Sequence, residues 1–142
     1  MELKFLSRSE NEIFARNAVA AFILPLNPSL SELSDVKTAV SEAVTNAIVH
    51  GYGNEEGWIT MHCKTEENRL HIKISDSGKG IDDVEKAQQP FFTTASEEER
   101  SGMGFTIMQT FMNTFSLESV KGEGTTVTME KNFIAKAGSD AR

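Results

Sequence analysis

A carboxylate and a carboxamide one helical turn apart, Glu42 and Asn46, open the stretch EAVTNAIVHGYGN from Glu42 to Asn54. At the half-dry rim of a core, a carboxylate can act as a base and an amide oxygen can face a metal, each positioned by the same rigid helix. A Glu and an Asn four residues apart also occur on ordinary solvated helix edges, so the pair gains meaning only from its company further along the chain. Asp76 is followed by Gly78 and Gly80 in DSGKG. Those glycines leave the backbone free to take positive φ and let a flat ligand approach closely, although the same string can be a plain turn. Further on, Gly102 and Gly104 stand where a helical pattern begins. Free N–H groups at a helix start form a ready anion site.

The elements that must position these groups can be read from periodicity. At about 100° per residue, Leu33, Val36, Val40, Ala43, Val44 and Ala47 form one apolar stripe, and Glu42 and Asn46 lie along its edge. Ser29 with Glu32 has capping-box spacing at the start of this central helix, which ends near Gly51-Tyr52-Gly53. Before it, Leu3 to Leu6 reads as a short strand. Ser7 with Glu10 repeats the capping-box spacing, and Ile13, Phe14, Ala18, Ala21 and Phe22 recur at helical intervals until Pro25. After it, Ile59, Met61 and Cys63, then Leu70, Ile72 and Ile74, alternate with polar residues, as in an antiparallel hairpin. Side chains alternate faces along a strand, so Asp76 shares the inward face of Leu70, Ile72 and Ile74. A carboxylate facing a core needs a partner, and the exocyclic amine of a purine would serve.

From Ile81 to Ser101 the chain is polar and irregular, with PFFTT at 90–94 and an acidic SEEERS at 96–101, and reads as a lid. Phe105, Met108, Phe111, Met112 and Phe115 then keep helical spacing as core residues. His50 either caps the central helix or lines a pocket. A second hairpin comes last, from Leu117 to Val120 and from Thr125 to Lys131, joined by Lys121-Gly122-Glu123-Gly124. One domain is expected over residues 1–131, with a frayed tail over 132–142.

Composition sets limits on partners. The 142 residues carry 14 basic and 21 acidic side chains, a net charge of −7, which repels a polyanion and argues against nucleic acid. A single cysteine, Cys63, forms neither a disulfide nor a cysteine cage, and fits a reducing cytoplasm. The apolar runs are short and interrupted by charge, so no membrane span is expected.

Together EAVTNAIVHGY, DSGKGI, PFFTT, ERSGMGFTIM and GTTV resemble, in order and spacing, the superfamily of ATP-binding domains shared by gyrase, the ninety-kilodalton heat-shock chaperone, histidine kinases and mismatch-repair ATPases. Within it the chain is similar to the sporulation-type anti-sigma factors that are serine kinases, from about Ser9 to Lys131. The resemblance implies an α+β two-layer sandwich, with a mixed, mostly antiparallel sheet covered on one face by helices. It implies ATP and Mg²⁺ as ligands, Glu42 as general base, Asn46 as the residue facing the metal, and Asp76 as the adenine reader. Gly78 and Gly80 would open the pocket floor, and Thr125 would assist at the base edge. Arg100, Gly102 and Gly104 would surround the phosphates, and Arg16 would dock protein partners. Those partners would be a sigma factor and an anti-anti-sigma protein that supplies the substrate serine, with the kinase itself a homodimer. A general-stress sigma antagonist, or a nucleotide-gated sigma-binding module without catalysis, are the alternatives. One departure is Ala95, where the family's lid often has a lysine.

Overall fold

The computed structural model describes residues 1–88 and 96–134, with residue 86 and residues 96–103 described by their backbone alone. Five strands form one sheet in the order β1-β2-β3-β5-β4: β1 (Glu2–Leu6), β2 (Trp58–Glu66), β3 (Arg69–Asp76), β4 (Thr114–Val120) and β5 (Gly124–Asn132). All four pairings are antiparallel. The α+β two-layer expectation holds, with a simpler sheet than the mixed one expected. On one face lie α1 (Glu10–Phe22) and α2 (Leu30–Asn46), then α3 (Val84–Ala87) and α4 (Ser96–Phe111).

The alternation read from β2 and β3 is the one observed. Ile59, Met61, Cys63, Leu70, Ile72 and Ile74 are buried under the helices, together with Val127 and Met129 of β5. Val36, Val40, Ala43 and Val44 of α2 meet them from above. Ser29 and Glu32 form the expected reciprocal capping box at the start of α2.

Five sequence readings need correction. The Ser7/Glu10 box does not form: Ser9 is the N-cap of α1 without a side-chain cap bond, and Ser7 instead exchanges hydrogen bonds with Gly57 at the end of β1. In α1 the buried residues are Ala15 and Val19, whereas Ile13 and Phe14 are 49% and 51% exposed. Small residues let α1 lie close against α2, and Phe14 stands edge-on to Phe5 at 6.4 Å between ring centroids.

Phe115 belongs to β4 rather than to the last helix. It still packs on Phe105, with centroids 5.9 Å apart, so two different elements put it against the partner that helical spacing suggested. Asn132 and Phe133, read as tail, belong to the fold, since Asn132 ends β5 and Phe133 is buried in the core; residues 135–142 lie outside the described residues.

The segment read as a lid divides. Residues 84–87 form α3, and residues 96–101 are the first turns of α4. PFFTT and Ala95 lie outside the described residues. The glycines therefore do not open the helix: Gly102 and Gly104 are inside α4, which starts at Ser96. Glu97, Glu98 and Glu99 supply the reason, since they are good helix formers and negative charge is favoured at a helix N-terminus.

Candidate functional site

Asn46 is the last residue of α2, and there the α-helix passes into a wider π-helical turn, Ala47–Tyr52. Such turns are uncommon and concentrate at functional sites, where they re-aim the residues beyond them. Here the turn brings His50 and Gly51 to the wall of a cavity of about 490 Å³ between α2, α4 and the ends of β3 and β5. Asn46, Asp76, Gly80 and Thr125 also line it, so four of the residues singled out in the sequence converge on one space.

The Asp76 end is closely built. Gly51 packs against the Asp76 carboxylate, leaving only 2.9 Å between Oδ1 and the place a β-carbon at Gly51 would take. Gly78 has no room for a side chain because its β-carbon would run into the Gly51 carbonyl. Gly80 has φ +74°, a conformation glycine adopts readily. The loop is latched in place from the π-helical turn. The Lys79 N–H donates to the Gly51 carbonyl at 2.9 Å, and the Tyr52 hydroxyl accepts from the Ser77 N–H at 2.8 Å while donating to the Trp58 carbonyl at 2.6 Å.

Asp76 is thus inward, as strand parity indicated, and burial pushes its pKa up; backbone N–H groups of Gly78 and Thr125 pull the other way. Gly78 donates to Oδ1 at 2.9 Å. A buried carboxylate held by N–H groups and facing a cavity can accept from a ligand amine.

At the other end, Glu42 and Asn46 lie together beneath α4. A β-carbon at Gly104 would sit 2.9 Å from Asn46 Nδ2 and 3.2 Å from Glu42 Oε2. The Asn46 Nδ2 is buried with no hydrogen-bond partner among the described residues. Such an orphan is rare in a finished core and suits a site that awaits a polar ligand. Glu42 does not line the cavity itself; it stands beside Asn46 at its edge. Burial raises its pKa, and the negative charge of Glu12 on α1 adds to the rise.

Arg16 is not brought to this space. It lies on α1, with Nε 3.6 Å from Glu12 Oε2, and Glu12 also accepts from the Ser41 hydroxyl at 3.0 Å. The Arg100 side chain lies outside the described residues, and Gly102 is placed only as part of the α4 backbone. His50, left between two roles by the sequence, lines the cavity.

Sequence reasoning missed Lys79, Lys121, Asp82 and Asp83, which also line the cavity. Lys79 was in view as the variable position of DSGKG, and Lys121 was absorbed into a hairpin turn. Both are cations suited to phosphate oxygens. Among the described residues no three His, Cys, Asp or Glu side chains converge. A metal here would therefore take most of its ligands from a bound phosphate and water, which is how Mg²⁺ is commonly held in nucleotide sites. The orphaned Asn46 Nδ2 is a donor and fits a phosphate oxygen, whereas the oxygen of the same amide is the atom that could face a metal.

A helix-backed antiparallel sheet with this cavity defines a nucleotide-binding class, and comparison with known proteins agrees: residues 7–131 match the histidine kinase-like ATPase domain. Within that class the chain belongs to the anti-sigma F factor family. It is 59% identical over 131 residues to the anti-sigma F factor of Caldanaerobacter subterraneus subsp. tengcongensis, covering 92% of each chain. It is 53% identical to that of Clostridium acetobutylicum, covering 94% of this chain and 93% of the relative.

Among solved structures, the RsbU and RsbW domains of a Mycobacterium tuberculosis protein superpose with a TM-score of 0.65 at 15% identity, over 96% of this chain and 34% of that one. A blue-light activated histidine kinase of Erythrobacter litoralis gives 0.52 at 19% identity, over 71% and 31%. These two share the fold, and the present chain spans about a third of their length. Among the described residues no helix is long and apolar enough to cross a membrane.

Proposed function

We propose that this chain is an ATP-dependent protein serine kinase and anti-sigma factor, which holds a sporulation sigma factor inactive and phosphorylates a serine of its anti-anti-sigma protein. The observation that carries the reading is one cavity with a buried carboxylate acceptor, Asp76, at one end and Asn46 at the other, with Glu42 beside Asn46 at the edge. The names of the relatives supply the sigma factor as partner.

Asp76 would accept from the purine amine, and Thr125 would stand beside it. Asn46 would face the metal, while Lys79 and Lys121 would meet phosphate oxygens together with Arg100. Mg²⁺, when bound, supplies positive charge that offsets the phosphates against a protein of net charge −7. Micromolar binding requires about 8 kcal/mol net, whereas a helix N-terminus contributes about 0.3–1 kcal/mol toward an anion, so several of these contacts must act together.

Glu42 would take the proton of the attacking serine hydroxyl as its oxygen bonds the γ-phosphorus and the bond to the bridging oxygen breaks, releasing ADP. A carboxylate whose pKa burial has raised is a stronger base for that step than an exposed one. Water in place of serine would give an ATPase by the same geometry. The α1 surface around Arg16 would dock the protein partners, and a second copy would complete a cytoplasmic homodimer.

Incubation with γ-labelled ATP, Mg²⁺ and the anti-anti-sigma protein should transfer label to a serine, and Glu42→Gln should abolish transfer while sparing sigma binding. Absence of transfer by the wild type would remove the kinase claim. A second reading, sigma binding gated by nucleotide without catalysis, is favoured by Glu42 standing beside the cavity rather than lining it. In that case nucleotide would change sigma affinity although no label moves.

A further inference from the structure

Ser119 of β4 is outside the cavity wall, yet it touches three groups at once. Its Oγ accepts from the Ile81 N–H at 2.8 Å, lies 2.9 Å from the Gly124 carbonyl, and lies 2.8 Å from Thr125 Oγ1. Strand register explains the meeting. Ser119 is opposite Thr125 on β5, and Thr125 is opposite Asp76 on β3, so the three side chains form a row on the helix-covered face.

A serine hydroxyl has one proton and two lone pairs. The Gly124 carbonyl can only accept, so the Ser119 proton is directed there; otherwise two oxygens would face each other at 2.9 Å with no hydrogen between them. Ile81 fills one lone pair of Ser119. The contact that remains, with Thr125, must then run from the Thr125 hydroxyl to Ser119. The proton of Thr125 is thereby used up behind the wall, and what Thr125 turns to the cavity is a lone pair.

We infer that Ser119 is a positioning residue for nucleotide specificity: by taking the Thr125 proton it makes the Asp76 end of the cavity accept only, which admits a 6-amino purine and excludes a 6-oxo purine. The inference rests on the ATP-binding reading and deepens it. Asp76, an acceptor when ionised, and Thr125, an acceptor because of Ser119, are neighbours across β3 and β5. The backbone N–H groups of Gly78 and Thr125 that could donate to a 6-oxo group are turned to the Asp76 carboxylate instead. A 6-oxo purine would face carboxylate and hydroxyl lone pairs with nothing to donate to it. A site built to bond an N–H discriminates strongly against an analogue that lacks it.

The probes are ATP and inosine triphosphate, which differ at the 6-position and, with it, at N1, a bare acceptor in adenine and an N–H in hypoxanthine, measured by calorimetry with Mg²⁺ on the full chain. The wild type should prefer ATP by about 100-fold or more. Ser119→Ala frees the Thr125 proton to donate into the cavity, and should narrow that preference by about tenfold, mainly by tightening inosine triphosphate. Ser119→Thr, which keeps a hydroxyl, should restore it; a general structural effect would lower both affinities together and leave their ratio alone.

An unchanged ratio in Ser119→Ala, with ATP still bound, overturns the role of Ser119 and leaves the ATP reading standing. Failure of the wild type to bind ATP overturns both. Should loss of the Ile81 anchor prevent Ser119→Ala from folding, Thr125→Val takes its place. It should weaken ATP and spare inosine triphosphate, and equal weakening of the two would overturn the assignment.

Discussion

Asp76 and Glu42 are carboxylates kept where water is scarce, and both have raised pKa values for which burial is the leading cause. For Asp76 the consequence is in binding. Asp76→Asn, which replaces one acceptor oxygen with a donor, should weaken ATP by about 10- to 100-fold, as expected for one hydrogen bond to a charged group. Wild-type affinity should fall on acidification at a higher pH than an exposed aspartate would cause, because the accepting form is the ionised one; a calorimetric pH series checks both.

For Glu42 the consequence is in stability. A folded pKa above the unfolded value gives a contribution that is full below the unfolded pKa and lost as pH rises through the folded one. At neutral pH the charged Glu42 therefore destabilises the fold, and Glu42→Gln should melt at a higher temperature than the wild type. That gain should disappear in acid, where Glu42 is protonated. An identical difference in melting temperature at every pH would contradict the assigned cause.

α4 covers the Glu42/Asn46 end of the site and carries two glycines inside its run. Each costs about 1 kcal/mol relative to alanine in a helix interior. A β-carbon at Gly104 would meet Asn46 Nδ2 at 2.9 Å and Glu42 Oε2 at 3.2 Å, the ends of the two side chains that would have to give way. Gly104→Ala should push the Asn46 amide and the Glu42 carboxylate aside, an effect felt in binding more than in stability. The expected result is ATP affinity lowered by about tenfold or more, with circular dichroism near that of the wild type.

The π-helical turn is the second such element. Tyr52 bonds both Ser77 and the Trp58 carbonyl, so the turn and the Asp76 loop move together. How much of this was legible differs by element. The stripe of α2 and its capping box were clear because each depends on neighbours within one or two turns. The start of α4 was not, because the glycines in ERSGMG read locally as a break while the three glutamates before them extend the helix.

At the scale of the molecule, Lys131 on β5 joins three elements. Its ammonium meets Asp35 of α2 at 3.1 Å and caps the Phe111 carbonyl at the end of α4 at 2.7 Å. Lys131→Met should lose about 1–3 kcal/mol of stability in denaturant titration, since the lysine is nearly buried and its removal leaves a carboxylate and a carbonyl without this donor. The loosened α4 should also weaken nucleotide binding, which tests whether sheet and lid-side helix act as one body.

By itself the sequence determined the periodic elements, the parity that turns Asp76 inward, and the motif residues Asn46, Asp76, Gly80 and Thr125 that meet at the cavity, because each depends on local spacing or on a string of neighbouring residues. Only the tertiary structure decided which face of α1 is buried, that Lys79 and Lys121 join the wall, and that Ser119 stands behind Thr125. Those relations depend on strand register and on helices meeting across the sheet, where residues far apart in the chain come within hydrogen-bonding distance and no local pattern records it.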